Sequence, residues 1–465
     1  MKLNISVKNI KGLGIEEADK LQELFNVYNA HESKNRLKNR YYEGHVTLGE
    51  VNLGIALPHG MKGLEIGCEW GGKSVDVLAS RSMFDGFVGV DGAEATAMSE
   101  IMRDNKLKAA YSKACRDELK FGCTFATLSS DEQIGCRIRF HTPQTAAAVW
   151  DGEKERIGYG FAIIDTQKDE SDQFWKPSLL NLYTDTAIWV IFRNGDNWFA
   201  EEHPHNMGRP LMEALIWNPT SAKPFGRSRI KEPVRRLIQG YVRTIANASI
   251  GLEFSTAPQK YLLGATDEQL DQLVDSKFQQ YVGSMIGAST NPETGEKPTF
   301  GQLTQGNISP HVEMLRVLAT QFSAATGLTV TDTGVVNDAN PTSSDAILAQ
   351  SQTLVLMAEQ LNNGNADSLY TIAMMAQAIK GRKTLDQLDE SETNIIAHFK
   401  NPAMPSVSVT ADAAIKIASA RPAFSQTSTF LEMIGFSQAD IRRIKGEEQR
   451  ARGSLALSDL LQKES

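Results

Sequence analysis

The sequence is short of the groups that usually betray chemistry. Only four cysteines occur in 465 residues, and the spacings of Cys68, Cys115, Cys123 and Cys136 fit neither paired CxxC knuckles nor a disulfide framework. They read as small buried apolar groups. Eight histidines are scattered along the chain, with no HExxH and no GxSxG, so hydrolase chemistry has no foothold. His203 and His205, in His-Pro-His, offer at most two metal ligands. Pro204 imposes an extended or turn geometry on them, and no third ligand stands nearby, so neither a metal nor a cofactor is expected. No apolar run approaches the ~20 residues that span a bilayer, and the first residues lack an apolar signal region. The expectation is a soluble intracellular product with no membrane partner. Neither sign of charge dominates: 48 Lys and Arg against 56 Asp and Glu leave −8. That excludes a globally basic nucleic-acid coat. Repeats at solenoid periods and low-complexity tracts are also missing.

What is present is an ordinary globular composition, 41% hydrophobic and 22% charged, on a chain long enough for about three domains. Residues 15–43 carry Leu21, Leu24, Phe25, Tyr28 and Leu37 on one face of a helix. Residues 73–82 and 92–121 also read as helical, with 86–92 as a turn-rich break. From Thr124 to Trp217 the pattern becomes short β-rich pieces: Ile138 to Phe140, Tyr159 to Ile164, Leu180 to Tyr183 and Ala187 to Phe192. Asp151-Gly152 and Asn194-Gly195 mark hairpins between them. Such a meander points to an α+β fold and not to alternating βαβ units.

A long helix is expected from Ser228 or Pro233, with Val234, Leu237, Ile238, Tyr241, Ile245, Ala248 and Leu252 at helical spacing until Pro258. Arg227, Arg229, Lys231, Arg235, Arg236 and Arg243 crowd it against only Glu232 and Glu253. Residues 283–310 are polar and turn-rich. A second helix, 310–326, ends at Gly327. A loop rich in Thr, Asp and Asn follows over 329–344. Next comes a long helix to Ile379 with a soft break at Asn362-Asn363-Gly364. A strand-like piece, Ser406 to Val409, precedes two or three C-terminal helices.

Gly67-Cys68-Glu69-Trp70-Gly71-Gly72-Lys73-Ser74 matches GxxxxGK[ST] at every fixed position. In a P-loop the backbone N–H groups wrap phosphates, Lys73 would reach the β and γ groups, and Ser74 would hold Mg²⁺. Against that, the preceding Met61 to Ile66 is short and charged where a buried parallel strand is needed. Glu69 and Trp70 would sit inside an anion nest. Asp91 follows too soon to lie on a parallel strand beyond a crossover helix.

The order of these pieces resembles the portal, or head–tail connector, protein of tailed bacteriophages of the siphophage type. Arg40-Tyr41-Tyr42-Glu43-Gly44 is similar to the family's Tyr-Tyr-Glu/Asp-Gly landmark. Trp70 to Arg81 resembles its next helix, in which Lys73 and Ser74 simply open a packing helix. His141-Thr142-Pro143 and Val149-Trp150-Asp151 resemble the β-rich wing. Asn218-Pro219 with Gly226-Arg227-Ser228-Arg229-Ile230 is similar to the G-R/K-S-x-I start of the long helix. Glu253-Phe254 with Ala257 to Gly264 resembles the segment that follows it. Ser309 to Glu313 with Ala324 to Leu328 fits the next helix, and Ser343 to Ile347 the Ser-rich opening of the tunnel helix. One departure is visible: Thr329 and Val330 follow Leu328 where the family usually places an aliphatic residue and proline.

The resemblance implies a portal fold with a mixed α/β wing, a helical stem, a small α/β clip and a helical crown, assembled as a ring. Its parts would be the wing (1–225), stem helix 1 (226–257), clip (258–309), stem helix 2 (310–328), tunnel loop (329–344), tunnel helix with a returning wing strand (345–409) and crown (410–465). It implies a non-enzymatic structural protein of the capsid portal vertex, assembled in the host bacterial cytoplasm as a homo-oligomeric ring of twelve. The expected partners are double-stranded DNA passing through the channel, terminase, the major capsid or scaffold protein and a head–tail adaptor.

A channel that lets DNA slide cannot grip it, because each neutralised phosphate adds affinity. The tunnel-loop candidates Asp332, Asn337, Asp338, Asn340 and Ser343, with no Lys or Arg between 329 and 344, suit a low-friction constriction; equally, Asp and Asn simply favour loops. Arg235, Arg236 and Arg243 form a basic helix face that would line the channel or, more in keeping with sliding, pair with acids of a neighbouring subunit. The polar clip would order by β-pairing between adjacent chains. The alternatives are an ATP-binding enzyme using Lys73 and Ser74, and a phage head or tail structural protein without a channel.

Overall fold

The computed structural model describes residues 2–47, 65–90, 96–168, 175–256, 260–263, 299–302, 307–335, 344–403, 407–436 and 440–451, with three isolated positions between 290 and 297. In chain order, α1 (Ile15–Tyr42) leads to the paired strands β1 (His45–Thr47) and β2 (Glu65–Gly67), and α2 (Trp70–Ala79) follows. Then come β3 (Phe84–Gly89), α3 (Thr96–Asp104) and α4 (Leu107–Phe121). The β-rich region supplies β4 (Cys123–Asp131), β5 (Gly135–His141), β6 (Ala146–Asp151), β7 (Arg156–Lys168), β8 (Trp175–Tyr183), β9 (Ala187–Asn194), β10 (Asn197–Pro204) and β11 (Met212–Ile216). After it run α5 (Glu232–Thr256), β12 (Lys260–Leu263), β13 (Thr299–Gln302), α6 (Ser309–Thr326) and α7 (Ser344–Gly381). The chain closes through β14 (Ile395–Phe399), α8 (Val407–Ala420), α9 (Ser428–Ile434) and a helical stretch over 440–451. The class is α+β, as the meander pattern implied.

These elements form two compact units: Met1–Asn39, Ser74–Ile230 and Ser344–Ser465 make the first, and Arg40–Lys73 with Lys231–Ser343 the second. In the first, β10-β9-β8-β7-β6 is an antiparallel five-stranded sheet and β11-β4-β5 a three-stranded one. Leu21, Leu24, Phe25 and Tyr28 of α1 are buried with Phe161, Leu180, Leu182 and Ile191 of the larger sheet. The ring of Phe25 meets Phe161 edge-on at 5.3 Å. Each such side chain contributes about 1.5–3 kcal/mol by leaving water. Gly195-Asp196 forms the two-residue loop of the β9–β10 hairpin, Asn194 pairing with Asn197, and Gly195 takes φ +61°, a conformation that costs glycine little.

Three readings need correction here. The expected turn at 86–92 overlaps a strand: β3 pairs antiparallel with β14, Gly89 opposite Ile395 and Phe84 opposite Phe399. The strand after the long helix is therefore 395–399, while Val407 to Val409, expected as strand, opens α8. The helical reading of 92–121 divides at Asn105-Lys106, where Lys106 takes φ +48°. The Asn105 side chain explains the break, since its amide donates to Cys136 O (2.9 Å) and its oxygen accepts from Ile138 N (2.7 Å).

The soft break expected at Asn362-Asn363-Gly364 is missing, for α7 runs unbroken from Ser344 to Gly381. Its asparagines enter a buried network instead. Ser82 Oγ donates to Asn362 Oδ1 at 2.6 Å and meets Tyr111 Oη at 2.7 Å. Asn365 Nδ2 donates to Tyr111 Oη (2.9 Å) and Glu118 Oε2 (2.8 Å). Glu118 Oε1 and Asn365 Oδ1 have no donor among the described residues. Burial pushes the Glu118 carboxyl up to about 8, with the Asn365 bond pulling weakly the other way, so it is protonated at neutral pH. All four cysteines are buried and free.

The second unit is built on α5 and α6. Val234, Ile238, Val242 and Ala246 are buried on α5, and Leu318, Ala319 and Phe322 on α6. A Cβ built on Gly240 would lie 3.1 Å from Leu318 Cδ2, so the two helices pack closely there. Pro233 stands at the second position of α5, where its missing N–H costs nothing. The ends of the polar 258–309 segment pair within the chain, β12 antiparallel to β13; its middle lies outside the described residues.

Candidate functional site

The sequence points to two places that meet within the second unit, residues Gly67 to Lys73 of the GxxxxGKS motif and the start of the 329–344 segment. Gly327 closes α6 in the left-handed region at φ +72°. The chain then makes a single 3-10 turn, Thr331–Thr333, ending at Gly334 with φ +75°. The Asp332 carboxylate, inside this turn, folds back on the residue before its cap, accepting from Thr329 N (2.9 Å) and Thr329 Oγ1 (2.8 Å). Its charge is thus spent on local backbone. Asn337, Asp338, Asn340 and Ser343 lie outside the described residues.

The motif is helical where a P-loop would be a nest. α2 begins at Trp70, three positions ahead of Lys73, and Lys73 N–H donates to Glu69 O at 2.8 Å. The preceding β2 is three residues long and antiparallel to β1. A Cβ on Gly71 would fall 1.9 Å from the carbonyl oxygen of Tyr41, so this glycine serves close backbone packing. Trp70 is buried, its ring centroid 4.6 Å from Tyr241 and 4.7 Å from Phe322. Its indole N–H donates to Thr333 O at 3.0 Å, and Lys73 Nζ donates to Asp332 O at 2.7 Å. Lys73 therefore holds a peptide carbonyl. Tyr41, from the Tyr-Tyr-Glu-Gly landmark, is buried in the same unit and accepts a hydrogen bond from Gln239 Nε2 at 2.5 Å.

The six basic residues divide. Arg235, Arg236 and Arg243 lie on α5. Arg236 is exposed and pairs with Glu232 at 3.2 Å, while Arg235 and Arg243 are half-buried. Arg229 precedes the helix and is not a surface charge at all. In the first unit its Nε donates to Ser74 O, its guanidinium lies 5.8 Å over the Trp217 ring, and burial lowers its pKa to about 10. Around it the Gly-Arg-Ser-Arg-Ile motif forms a knot. Gly226 has φ +68°, and a Cβ there would sit 2.2 Å from Trp217 O. Ser228 Oγ donates to Lys120 O (2.5 Å), and Arg229 N donates to Leu119 O (2.9 Å). Sequence reasoning missed this role because burial of an arginine leaves no local pattern.

No group of three His, Cys, Asp or Glu side chains that could hold a metal occurs among the described residues, and His203 is exposed on β10. No described helix is long and apolar enough to cross a membrane. A concavity of about 600 Å³ in the first unit is lined by Met83, Phe399, Thr410 and Phe436, together with His398 and Glu432, which are paired through His398 Nε2. The pairing with Glu432 raises the His398 pKa.

No curated protein matches the chain. Among solved structures, the neck of a native gene transfer agent (GTA) particle computed with C12 symmetry is similar at 12% identity and TM-score 0.46, over 79% of this chain and 89% of that one. The neck of an empty GTA particle computed with C6 symmetry is similar at 11% identity and TM-score 0.47, over 79% and 90%. The family described as "Phage portal protein, SPP1 Gp6-like" matches residues 9–454. With a match running through almost every element described above, the chain belongs to the SPP1 Gp6-like phage portal proteins and is a structural portal protein.

Proposed function

We propose that copies of this chain assemble as a ring of twelve around an axial channel through which double-stranded DNA is packaged and later ejected. The observation that carries this reading is the family match over residues 9–454. In this reading residues 1–225 are wing, 226–257 and 310–328 the stem, 258–309 the clip, 329–344 the tunnel loop, 345–409 the tunnel helix with its returning strand, and 410–465 the crown. The ring docks terminase, the capsid or scaffold protein and a head–tail adaptor, and forms in the host bacterial cytoplasm. The chain itself performs no catalysis; packaging ATP is hydrolysed by the partner.

Two features support a ring. On α6, Met314 and Val317, three positions apart on one face, are each 47% exposed, an apolar pair that a neighbouring subunit would cover. The net charge of −8 suits a wall that repels phosphates weakly and releases few counterions. Asn337, Asp338, Asn340 and Ser343 would meet phosphates one at a time, and Arg235, Arg236 and Arg243 would pair with acids of the adjacent copy. Negative-stain imaging with mass measurement tests the proposal: closed rings with a central hole are expected, and a chain that stays monomeric or dimeric under all assembly conditions refutes it. A deletion within 329–344 is expected to impair DNA retention.

A further inference from the structure

We propose that Trp70 and Lys73 are positioning residues that anchor the base of the tunnel loop to the stem helices. The inference rests on the reading of 329–344 as that loop. It explains a motif that nucleotide chemistry does not.

The argument begins with what a short turn leaves undone. A 3-10 turn ends with carbonyls that have no intrahelical donor. In Thr331–Thr333 the carbonyls of Asp332 and Thr333 are the ones left at the end. The indole N–H of Trp70 takes one at 3.0 Å, and the ammonium of Lys73 takes the next at 2.7 Å. A cation at the C-terminal end of a turn is also favoured by the backbone dipoles. The two donors stand three positions apart on α2, on one helical face, so a single rigid element holds two consecutive peptide groups.

The other side of the anchor is equally fixed. The Trp70 ring is buried between Tyr241 of α5 and Phe322 of α6, at 4.6 and 4.7 Å. Gly71 lets this end of α2 lie against the backbone at Tyr41. The turn is closed from inside by the Asp332 carboxylate on Thr329, and Thr333 Oγ1 donates to Val330 O at 2.6 Å. The chain therefore leaves α6 from a fixed point. A loop dragged by moving DNA needs such a footing, because otherwise its base would swing with the load.

Hydrogen exchange on the assembled full-length protein tests the anchor. The amides of Asp332, Thr333 and Gly334 are bonded within the turn at 3.1, 3.0 and 3.1 Å and report its opening. Lys73→Met removes the ammonium at similar length, and Trp70→Phe removes the N–H while keeping a ring. Loss of a charge-assisted bond that is only part-buried is expected to speed exchange at 332–334 about tenfold, with the α6 amides unchanged and Lys73→Arg close to the parent. Unchanged exchange at 332–334 in both variants overturns the anchor and leaves the tunnel-loop reading standing. Faster exchange with DNA retention untouched supports the anchor and counts against the tunnel-loop reading instead.

Discussion

Glu118 offers a measurement of how the buried network works. Its side chain is fully buried on α4, bonded through one oxygen to Asn365 of α7, and its carboxyl is raised from the usual 4.5 to about 8. A carboxyl whose pKa is higher in the folded state stabilises fully below its unfolded pKa, and that stability is lost as pH rises towards the folded one. At about 1.4 kcal/mol per pH unit, the protein should lose about 3 kcal/mol from this group between pH 4.5 and pH 7. The loss should approach about 5 kcal/mol above pH 8. Glu118→Gln keeps the shape and the acceptor for Asn365 but cannot ionise. Guanidinium unfolding of parent and variant, followed by tryptophan fluorescence, isolates the group, because every other titration cancels in the difference. The two proteins should be nearly equal at pH 4.5, with the variant ahead by about 3 kcal/mol at pH 7 and further ahead at pH 9. A difference independent of pH would refute the buried neutral acid. So would a variant weaker than the parent at pH 7, which would mean a charged and paired carboxylate.

Three further outcomes are expected. Gly71→Ala forces a methyl group to within 1.9 Å of a backbone oxygen; since backbone yields little, thermal melting should show a loss of at least ~1–3 kcal/mol. Arg229→Met keeps the length but removes both the guanidinium bond to Ser74 O and the cation–π contact with Trp217, which should cost about 1.5–3 kcal/mol by denaturant unfolding. His398 is held above its ordinary pKa by Glu432, near Asp85 and Lys108. This bond is strongest below pH 6.5 and fades as pH rises through the raised value, so the α9 amides, once exchange is corrected for its intrinsic pH dependence, should be less protected from hydrogen exchange at pH 8 than at pH 6. A His398→Gln protein should show no such difference.

Periodic and turn-marked elements were legible in the sequence. The stripe Leu21, Leu24, Phe25 and Tyr28 is buried as its spacing implied, and Pro233 stands near the helix start it marked. β3 was illegible because Phe-Asp-Gly-Phe-Val-Gly carries two glycines that look like turn residues, and its partner lies at 395–399. No local pattern reports so distant a pairing. Asn362-Asn363-Gly364 resembled a break because asparagine and glycine disfavour helix interiors in isolation, whereas here Asn362 and the nearby Asn365 bond to Ser82, Tyr111 and Glu118. The GxxxxGKS pattern is discounted in the sequence itself by its short, charged approach, and only the helix start was illegible. The helix is expected from residue 73 and starts at Trp70, ahead of the lysine, because the Trp70 ring packs on Tyr241 and Phe322.

The pairing of β3 with β14 also governs when the chain can finish folding. Residue 89 must wait for residue 395 to be synthesised, roughly 15–60 s at bacterial elongation rates of about 5–20 residues per second. Until then β3 has an open edge, and the network around Glu118 lacks the α7 asparagines. The first unit is thus completed only when nearly all of the chain has left the ribosome. The fold of this unit is timed by its own topology, because a pairing of residue 89 with residue 395 sets the earliest moment at which it can close.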